Sequence, residues 1–257
     1  MNEDNKNTES KSILREFGAC PVCGGIVEQK NIQRNGKCQI CGKEHKSYHY
    51  CENGHDFCDI CYGSFAFSNL TSIVNTESKN PVEILNMMMS DESFGLRGCI
   101  HCVATPLSLV LAYRNIEGIG RKSHDLLIEL FKIEVERTPI SLCKETGQCG
   151  IPVACGNALS NLLPVLNSMY ENSTVGKRLK TVCLDAVKDI ESKNICCKKI
   201  AYTEVLTIAD FTDRYLRVNF QMPEVIKCEY SQWNQNCEKE NCAFYRGYSI
   251  NQPNDLK

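Results

Sequence analysis

Cysteine constrains this chain more than any other residue type, because it supplies 18 of 257 residues and seven of the 18 fall within the first quarter of the chain. The chain opens with MNEDNKNTESKS, which has neither the apolar core nor the cleavage site of a secretory signal, so we expect a cytoplasmic protein. Thiols in a reducing compartment seldom pair as disulfides. The clustered cysteines are therefore interpreted as metal ligands.

Composition argues against a membrane or nucleic-acid partner. No apolar run approaches the ~20 residues that span a bilayer, and the longest extends only from Pro106 to Tyr113. The formal net charge of −2 offers no general attraction for nucleic acid. The short basic stretch from Lys30 to Lys46 is interpreted as solvated surface. We therefore expect a protein partner, such as a redox protein.

Changes in periodicity along the chain predict an α+β fold class with four segments. Residues 1–17 are polar and are expected to form a disordered tail. Residues 18–64 predict a double zinc-binding module that is zinc-ribbon-like, with a cross-brace as an alternative. Residues 65–217 show helical periodicity and predict a mainly α-helical, Cys-rich domain. Residues 218–257 form a C-terminal segment that contains further cysteines.

Helix start signals in the third segment locate two of its helices. Pro81 occupies the first position of a predicted helix. The pair Thr105-Pro106 combines a capping residue with a proline and predicts that another helix opens there. The domain is thus expected to be built from helices with well-marked beginnings.

Eight ligand-type side chains in the N-terminal module have the spacing of paired knuckles. A two-residue gap lets two thiolates reach one ion at about 2.3 Å from each sulfur, and a following glycine suits the turn that this requires. Eight ligands predict two closed zinc sites, with sequential and interleaved pairing both open. His45 and His49 are interpreted as bystanders, although His49 could replace His55. The predicted ligands are Cys20, Cys23, Cys38, Cys41, Cys51, His55, Cys58 and Cys61.

A second set of cysteines lies at loops and helix ends beside glycines. Thiolates at helix N-termini have lowered pKa values, and nearby glycines let backbone N–H groups approach sulfur. An iron–sulfur cluster or other metal centre, a thiol redox site, and cysteines without a joint role all remain open. Cys183, on the apolar face of a helix, is interpreted as packing. The predicted second centre comprises Cys99, His101, Cys102, Cys149, Cys155, Cys196 and Cys197.

Three further thiols, Cys228, Cys237 and Cys242, lie in the polar C-terminal segment. With one additional ligand they could close a third metal site. Alternatively, the segment could simply cap the helical domain. The sequence does not choose between these two roles.

Several of these segments together resemble an uncharacterised family, the domain of unknown function 5714. The resemblance rests on CPVCGG, CGKEHKSYHYCENGHDFCDICY, GCIHC before LSLVLAYRN, CGIPVACGNALS, CCKK and NCEKENCAFY, and covers nearly all of the chain from about residue 18. It implies no settled activity, but it implies anaerobic hosts and members either alone or fused to a SAM-dependent methyltransferase domain. The CGIPVACG and CC elements are also faintly similar to the redox-associated C-GCAxxG-C-C proteins.

Two functions are compatible with these patterns. The first is a cytosolic metal-binding protein with structural zinc and a second Cys-rich centre, serving redox, sulfur-handling or methyl-transfer chemistry as an accessory. The alternative is a non-enzymatic zinc-ribbon adaptor that binds a protein or nucleic-acid partner. No Gly-x-Ser-x-Gly or His-Glu-x-x-His motif suggests a hydrolase, and no strand with a Gly-rich turn suggests a SAM site.

Overall fold

The computed structural model describes residues 17–91, 94–119, 121–137, 142–166, 173–190 and 196–251. The predicted disordered tail lies outside these residues except for its last member, Phe17. The described chain begins with a small β-containing module and continues into a mainly helical domain, which confirms the predicted α+β class.

The N-terminal module is a β-hairpin followed by a helix. Strand β1 (Val27–Lys37) pairs antiparallel with β2 (Glu44–Cys51), and helix α1 follows at Asp59–Leu70. An irregularity in register between Gln29 and Arg34 marks a bulge in β1. Phe57 is completely buried under the hairpin, where it anchors a small core. Helix α1 runs across the predicted domain boundary between residues 64 and 65, so no loop separates the two regions there.

Within the described residues, seven further helices precede the C-terminal segment. A short 3-10 helix (Thr71–Asn75) leads into them. Their bounds are α2 (Pro81–Met89), α3 (Ile100–Glu117), α4 (Arg121–Arg137), α5 (Leu142–Thr146), α6 (Gly150–Leu166), α7 (Ser173–Ala186) and α8 (Cys197–Leu216).

Helix α2 begins where the sequence predicts. Pro81 is its first residue, and the side-chain oxygen of Asn80 accepts hydrogen bonds from the N–H groups of Val82 and Glu83 at 3.0 and 3.1 Å. This cap satisfies two of the N–H groups that a helix start leaves without partners. The prediction from Pro81 is therefore confirmed.

Helix α3 is the centre of the domain and begins earlier than predicted. It starts at Ile100, and every residue from there to Arg114 is buried, because α1, α2, α4, α6 and α8 all pack against it. The predicted start at Thr105 is wrong, since Pro106 lies inside the helix. Proline removes the bond to the carbonyl four residues earlier, which here belongs to Cys102. Surrounding helices stabilise the interrupted helix and keep its first turn in place.

The N-terminal module packs against the segment that leads into α3. The Tyr62 hydroxyl donates a hydrogen bond to the Phe17 carbonyl, and Cys99 belongs to the same buried cluster as Phe17 and Cys20. A Cβ added at Gly95 would lie 2.5 Å from the backbone nitrogen of Gly18, so only glycine permits this approach. The module is thereby held next to the first turn of α3.

The C-terminal segment has little regular structure of its own. Strands β3 (Val225–Ile226) and β4 (Tyr248–Ser249) pair antiparallel, and the one-turn helix α9 (Ala243–Arg246) precedes β4. Phe244 and Tyr248 join the main core, so the segment is attached to the helical domain. Among the described residues, no helix combines the length and the apolar character that crossing a bilayer requires.

Candidate metal centres

The eight N-terminal ligand-type residues form two separate sets of four. Within each set, one ligand atom per residue lies within 4.8 Å of all the others. The knuckles alternate between the sets along the chain, so the pairing is interleaved, as in a cross-brace, and not sequential. The first set is Cys20, Cys23, Cys51 and His55, and the second is Cys38, Cys41, Cys58 and Cys61.

The hairpin explains why the pairing is interleaved. Val27 and Cys51 are paired at one end of the two strands, and Lys37 and Glu44 at the other. The first knuckle precedes β1, so it meets the end of β2. The second knuckle forms the turn between the strands, so it is carried to the opposite end, where Cys58 and Cys61 lie at the start of α1. The length of the strands thus separates the two sets.

Within each set, the distances between ligand atoms match those around one tetrahedral ion. Zinc at about 2.3 Å from sulfur places the sulfurs of a tetrahedron about 3.8 Å apart. The Cys23 and Cys51 sulfurs are 3.6 Å apart, and the Cys41 and Cys58 sulfurs 3.8 Å. The Nδ1 atom of His55 lies 3.5 Å from the Cys51 sulfur. The donor chemistry and these spacings fit zinc, and both sets could hold metal ions.

Local backbone geometry supports these sites in the way expected for knuckles. Gly24 and Gly42 have φ values of 70° and 72°, which confirms the turn predicted after each knuckle. The N–H groups of Val22, Gly25 and Asn53 each donate to the cysteine sulfur two residues earlier, at 3.3 to 3.4 Å. Such N–H donors stabilise negative charge on sulfur, which ligation requires.

The thiols of the first set differ in how readily they lose a proton. The pKa of Cys23 falls to about 6, first through the hydrogen bond from the Asn53 side chain and then through the Gly25 N–H. Burial raises the pKa of Cys20 to about 11. Cys23 therefore presents a thiolate to an approaching ion, while Cys20 gives up its proton when the ion binds.

His55 belongs to the first set, and His49 does not replace it. His49 is buried, and its Nδ1 lies 3.3 Å from an Asp59 oxygen while its Nε2 lies 3.3 Å from the Gln29 amide. His45 faces Asp56 instead, at 3.7 Å. Both histidines therefore lie outside the two ligand sets.

Four other thiols of the helical domain lie close enough to Cys102 for their charges to act on it. Burial raises the pKa of Cys102 well above its usual range, and the charges of Cys149, Cys99, Cys143 and Cys197 raise it further. Cys99 is the N-cap of α3, Cys149 immediately precedes α6, and Cys197 opens α8. These three helices pack against one another, so the thiols at their N-termini lie in one region of the domain.

Gly98 links two of these helices through its backbone. Burial raises the pKa of Cys197 to about 11, although a hydrogen bond from the backbone N–H of Gly98 opposes this increase. The Gly98 carbonyl accepts from Nδ1 of His101 at 3.2 Å. Gly98 has a φ of 115°, which side chains other than hydrogen rarely allow, so this residue type is required here.

His101 is next to Cys102 in the chain, but its ring contacts Phe94 and the Gly98 carbonyl instead of a thiol. Its ring is buried and edge-on to Phe94, and within the part of the chain that the structure describes its Nε2 atom has no hydrogen-bond partner. Burial lowers its pKa well below the usual range, and the positive charge of Lys198 lowers it further. His101 is therefore neutral, with a free lone pair on Nε2 that suits a metal or a proton donor.

Cys155 is fully buried, and its neighbours include the carboxyl group of Glu204, which the sequence analysis did not consider. Burial raises the Cys155 pKa well above normal, and Glu204, Cys183 and Cys102 raise it further. Glu204 is fully buried, its two carboxylate oxygens have no hydrogen-bond partner among the described residues, and burial raises its pKa to about 8. Cys183 is in the apolar core as predicted, close enough to Glu204 for the carboxylate charge to raise its pKa further.

Cys196 and Cys197 are neighbours in sequence but face different groups. Cys196 shares a pocket with all three cysteines of the C-terminal segment, whereas Cys197 faces the thiols around Cys102. Cys196 is the extended N-cap of α8, and Cys197 is its first helical residue, so the backbone turns between them. The structure therefore places Cys196 with the C-terminal set, away from the second centre to which the sequence analysis assigned it.

Two residues of this region were absent from the predicted site. Cys143, in the short helix α5, is exposed and acts on Cys99, Cys102 and Cys149. Its position only six residues before Cys149 could have indicated that it lies near the second centre. Glu204 follows Ala201 by three residues and precedes Ile208 by four, which places a carboxyl group on the buried face of a helix.

The fold and the ligand sets define the class of this protein: a Cys-rich protein with a two-site metal-binding module joined to a helical domain. A family model described as "Family of unknown function (DUF5714)" matches residues 70–245, and the chain belongs to this family. The match contains the helical domain and the C-terminal cysteines, and it begins after the N-terminal ligand sets. Neither the curated proteins nor the solved structures contain a match to this chain.

Proposed function

We propose that the protein is an accessory redox protein whose working part is a thiolate-ligated centre in the helical domain, with structural zinc in the N-terminal module. The observation that carries this proposal is that Cys102 interacts electrostatically with Cys99, Cys149 and Cys197, which lie at three helix N-termini, and with Cys143 of α5. Burial raises the pKa of Cys102, Cys149 and Cys197, and helix N-termini oppose that increase, so they favour thiolates once a metal binds. Thiols without a joint role gain nothing from such an arrangement.

An iron–sulfur cluster fits this group of thiols better than a single zinc ion does. Among the described residues, only the two N-terminal sets bring four ligand atoms within 4.8 Å of one another. A cluster of several irons separates its thiolates more widely than one ion does, and backbone N–H groups such as that of Gly98 tune its sulfurs. When bound, such a cluster supplies a one-electron couple.

The chain's own residues would bind and shield this centre. Cys99, Cys102, Cys149 and Cys197 are the proposed ligands, and the packed helices exclude water from the inner side. Cys143 is exposed and lies next to the same thiols, so the centre approaches the surface there. A redox protein that docks at α5 would be the electron partner. A methyltransferase partner is suggested only by the family resemblance.

The decisive experiment is metal and sulfide analysis after purification without oxygen. We expect iron, acid-labile sulfide and visible absorption that bleaches on reduction with dithionite. Cys102→Ser and Cys197→Ser should lose iron and colour, whereas Cys183→Ser, a buried cysteine outside the thiol group, should keep both. A colourless wild-type protein that contains zinc alone would overturn the proposal and favour the adaptor function.

A further inference from the structure

The C-terminal segment and the start of α8 form a pocket that the proposed redox centre does not use. Four thiols line this pocket, one from the N-cap of α8 and three from the C-terminal segment. We propose that it is a third metal site, which binds one zinc or similar thiophilic divalent ion. The proposed ligands are Cys196, Cys228, Cys237 and Cys242. In this structure no three of their sulfurs lie within 4.8 Å of one another, so the ion would draw the thiols of the weakly packed C-terminal segment towards Cys196.

Backbone hydrogen bonds give these four sulfurs the same setting as the N-terminal ligands. The N–H of Lys239 donates to the Cys237 sulfur at 3.4 Å, and the N–H groups of Tyr230 and Phe244 donate to Cys228 and Cys242. In each case the donor lies two residues after the cysteine, as it does for Cys20, Cys23 and Cys51.

Cys196 completes this pattern from a different element. The N–H of Lys198, again two residues later, donates to its sulfur, and the Asn234 amide donates to it at 3.4 Å. Asn234 belongs to the C-terminal segment, so this contact joins the segment to the start of α8. Burial raises the pKa of Cys196, and these donors oppose that increase, so they favour the thiolate once an ion binds.

A buried positive charge next to the pocket would compensate part of the negative charge of ligating thiolates. Lys198 is only 1% exposed, and its ammonium group lies 4.0 Å from the centre of the Tyr230 ring and 5.2 Å from that of Phe94. The acidic groups that act on it are the thiols of Cys228, Cys197 and Cys196. A buried charge is costly unless an opposite charge compensates it, and four thiolates around a divalent ion carry a net charge of −2.

The same geometry explains why a metal would matter to this segment. From residue 227 to residue 243, only Tyr230 is fully buried, so an apolar core cannot hold this stretch in place. One ion would connect the three cysteines of the segment to Cys196. Since Cys197 is the next residue, the ion would also position one ligand of the redox centre without belonging to it.

Zinc content of the full-length protein tests the site. After a wash with a weak chelator, we expect the wild type to hold three zinc ions per chain, and Cys237→Ser or Cys242→Ser to hold two. The matched control Cys183→Ser should keep three. Two zinc ions in both the wild type and the Cys237→Ser variant would overturn the proposal. Colour and sulfide should survive in Cys237→Ser and disappear in Cys197→Ser, so failure of this site and failure of the redox centre are distinguishable.

Alkylation of the wild-type protein provides a test that does not depend on a variant folding. All four cysteines are partly exposed, so as free thiols they would react with iodoacetamide in the native protein. We expect peptide mass spectrometry to find them protected until a strong chelator is added. Rapid alkylation of Cys228 and Cys237 in the zinc-loaded protein would contradict the proposal.

Discussion

The N-terminal module and the helical domain use cysteine in opposite surroundings. In the module, thiols lie on turns and strand ends at tetrahedral distances, around a core of very few side chains. In the helical domain, several thiols lie at helix N-termini against a large apolar core. From this difference we propose that metal stabilises the fold of the first region, whereas in the second region the packed helices position the thiols.

Removal of metal should produce the largest difference in stability between the two regions. Structural zinc contributes an apparent binding free energy of about 10–16 kcal/mol in small zinc modules, so a strong chelator should unfold residues 18–64. The helices should persist because their core is apolar. Hydrogen exchange with mass spectrometry would measure this, and collapse of α3 and α6 together with the module would break the comparison.

A pair of histidine variants should sharpen the ligand assignment within the module. His55→Ala removes a ligand, so we expect the loss of one zinc ion and destabilisation of the first set alone. His49→Gln removes a buried ring that bonds Asp59 and Gln29, so stability should fall while both zinc ions remain. Zinc analysis together with thermal unfolding distinguishes the two effects. Loss of zinc from His49→Gln with retention in His55→Ala would contradict the assignment.

Glu204 should give the metal-free helical domain a pH dependence near neutral pH. Its folded pKa of about 8 lies above the unfolded value of 4.5, so its contribution to stability is complete below pH 4.5 and is lost as the pH rises through 8. Between pH 6.5 and 7.5 the stability should fall by about 1 kcal/mol per pH unit. His101 and Lys198, whose folded pKa values are lowered, oppose this slope, His101 mainly below about pH 7 and Lys198 as the pH approaches 8.

Urea unfolding of Glu204→Gln would check this effect. The variant should be more stable than the wild type at pH 8, and it should lose the decrease in stability between pH 6.5 and 7.5. Glu83→Gln on the exposed face of α2 is the control and should keep the wild-type slope. An unchanged slope in Glu204→Gln would show that this carboxyl group is not buried in solution.

Gly98→Ala should produce the smallest effect on stability and a specific one on the thiol centre. The strained φ should cost on the order of 1 kcal/mol or more, and the N–H that reaches Cys197 should move. We expect a shifted reduction potential or a lower iron content with an intact N-terminal module. Gly118→Ala also replaces a glycine with positive φ, at the left-handed end of α3 and far from the thiols, and should leave the centre unchanged.

The sequence predicted the ligand types and the fold class better than it predicted which cysteines belong to the same site. Knuckle spacing and the glycines after each knuckle are local, so Cys20 to Cys23 and Cys38 to Cys41 could be identified directly. The start of α3 was misplaced because Pro106 is a strong local signal that tertiary packing overrides. Cys143 and Glu204 were missed because their importance depends on which helices pack together.

Residue spacing alone determines that two thiols three positions apart can share an ion, because the covalent chain limits how far they can separate. It does not determine which distant pairs meet. The hairpin length sets the interleaved pairing, and the change from extended to helical backbone between Cys196 and Cys197 sends adjacent thiols to different sites. These outcomes depend on contacts between residues far apart in sequence, which form only when strands and helices have packed.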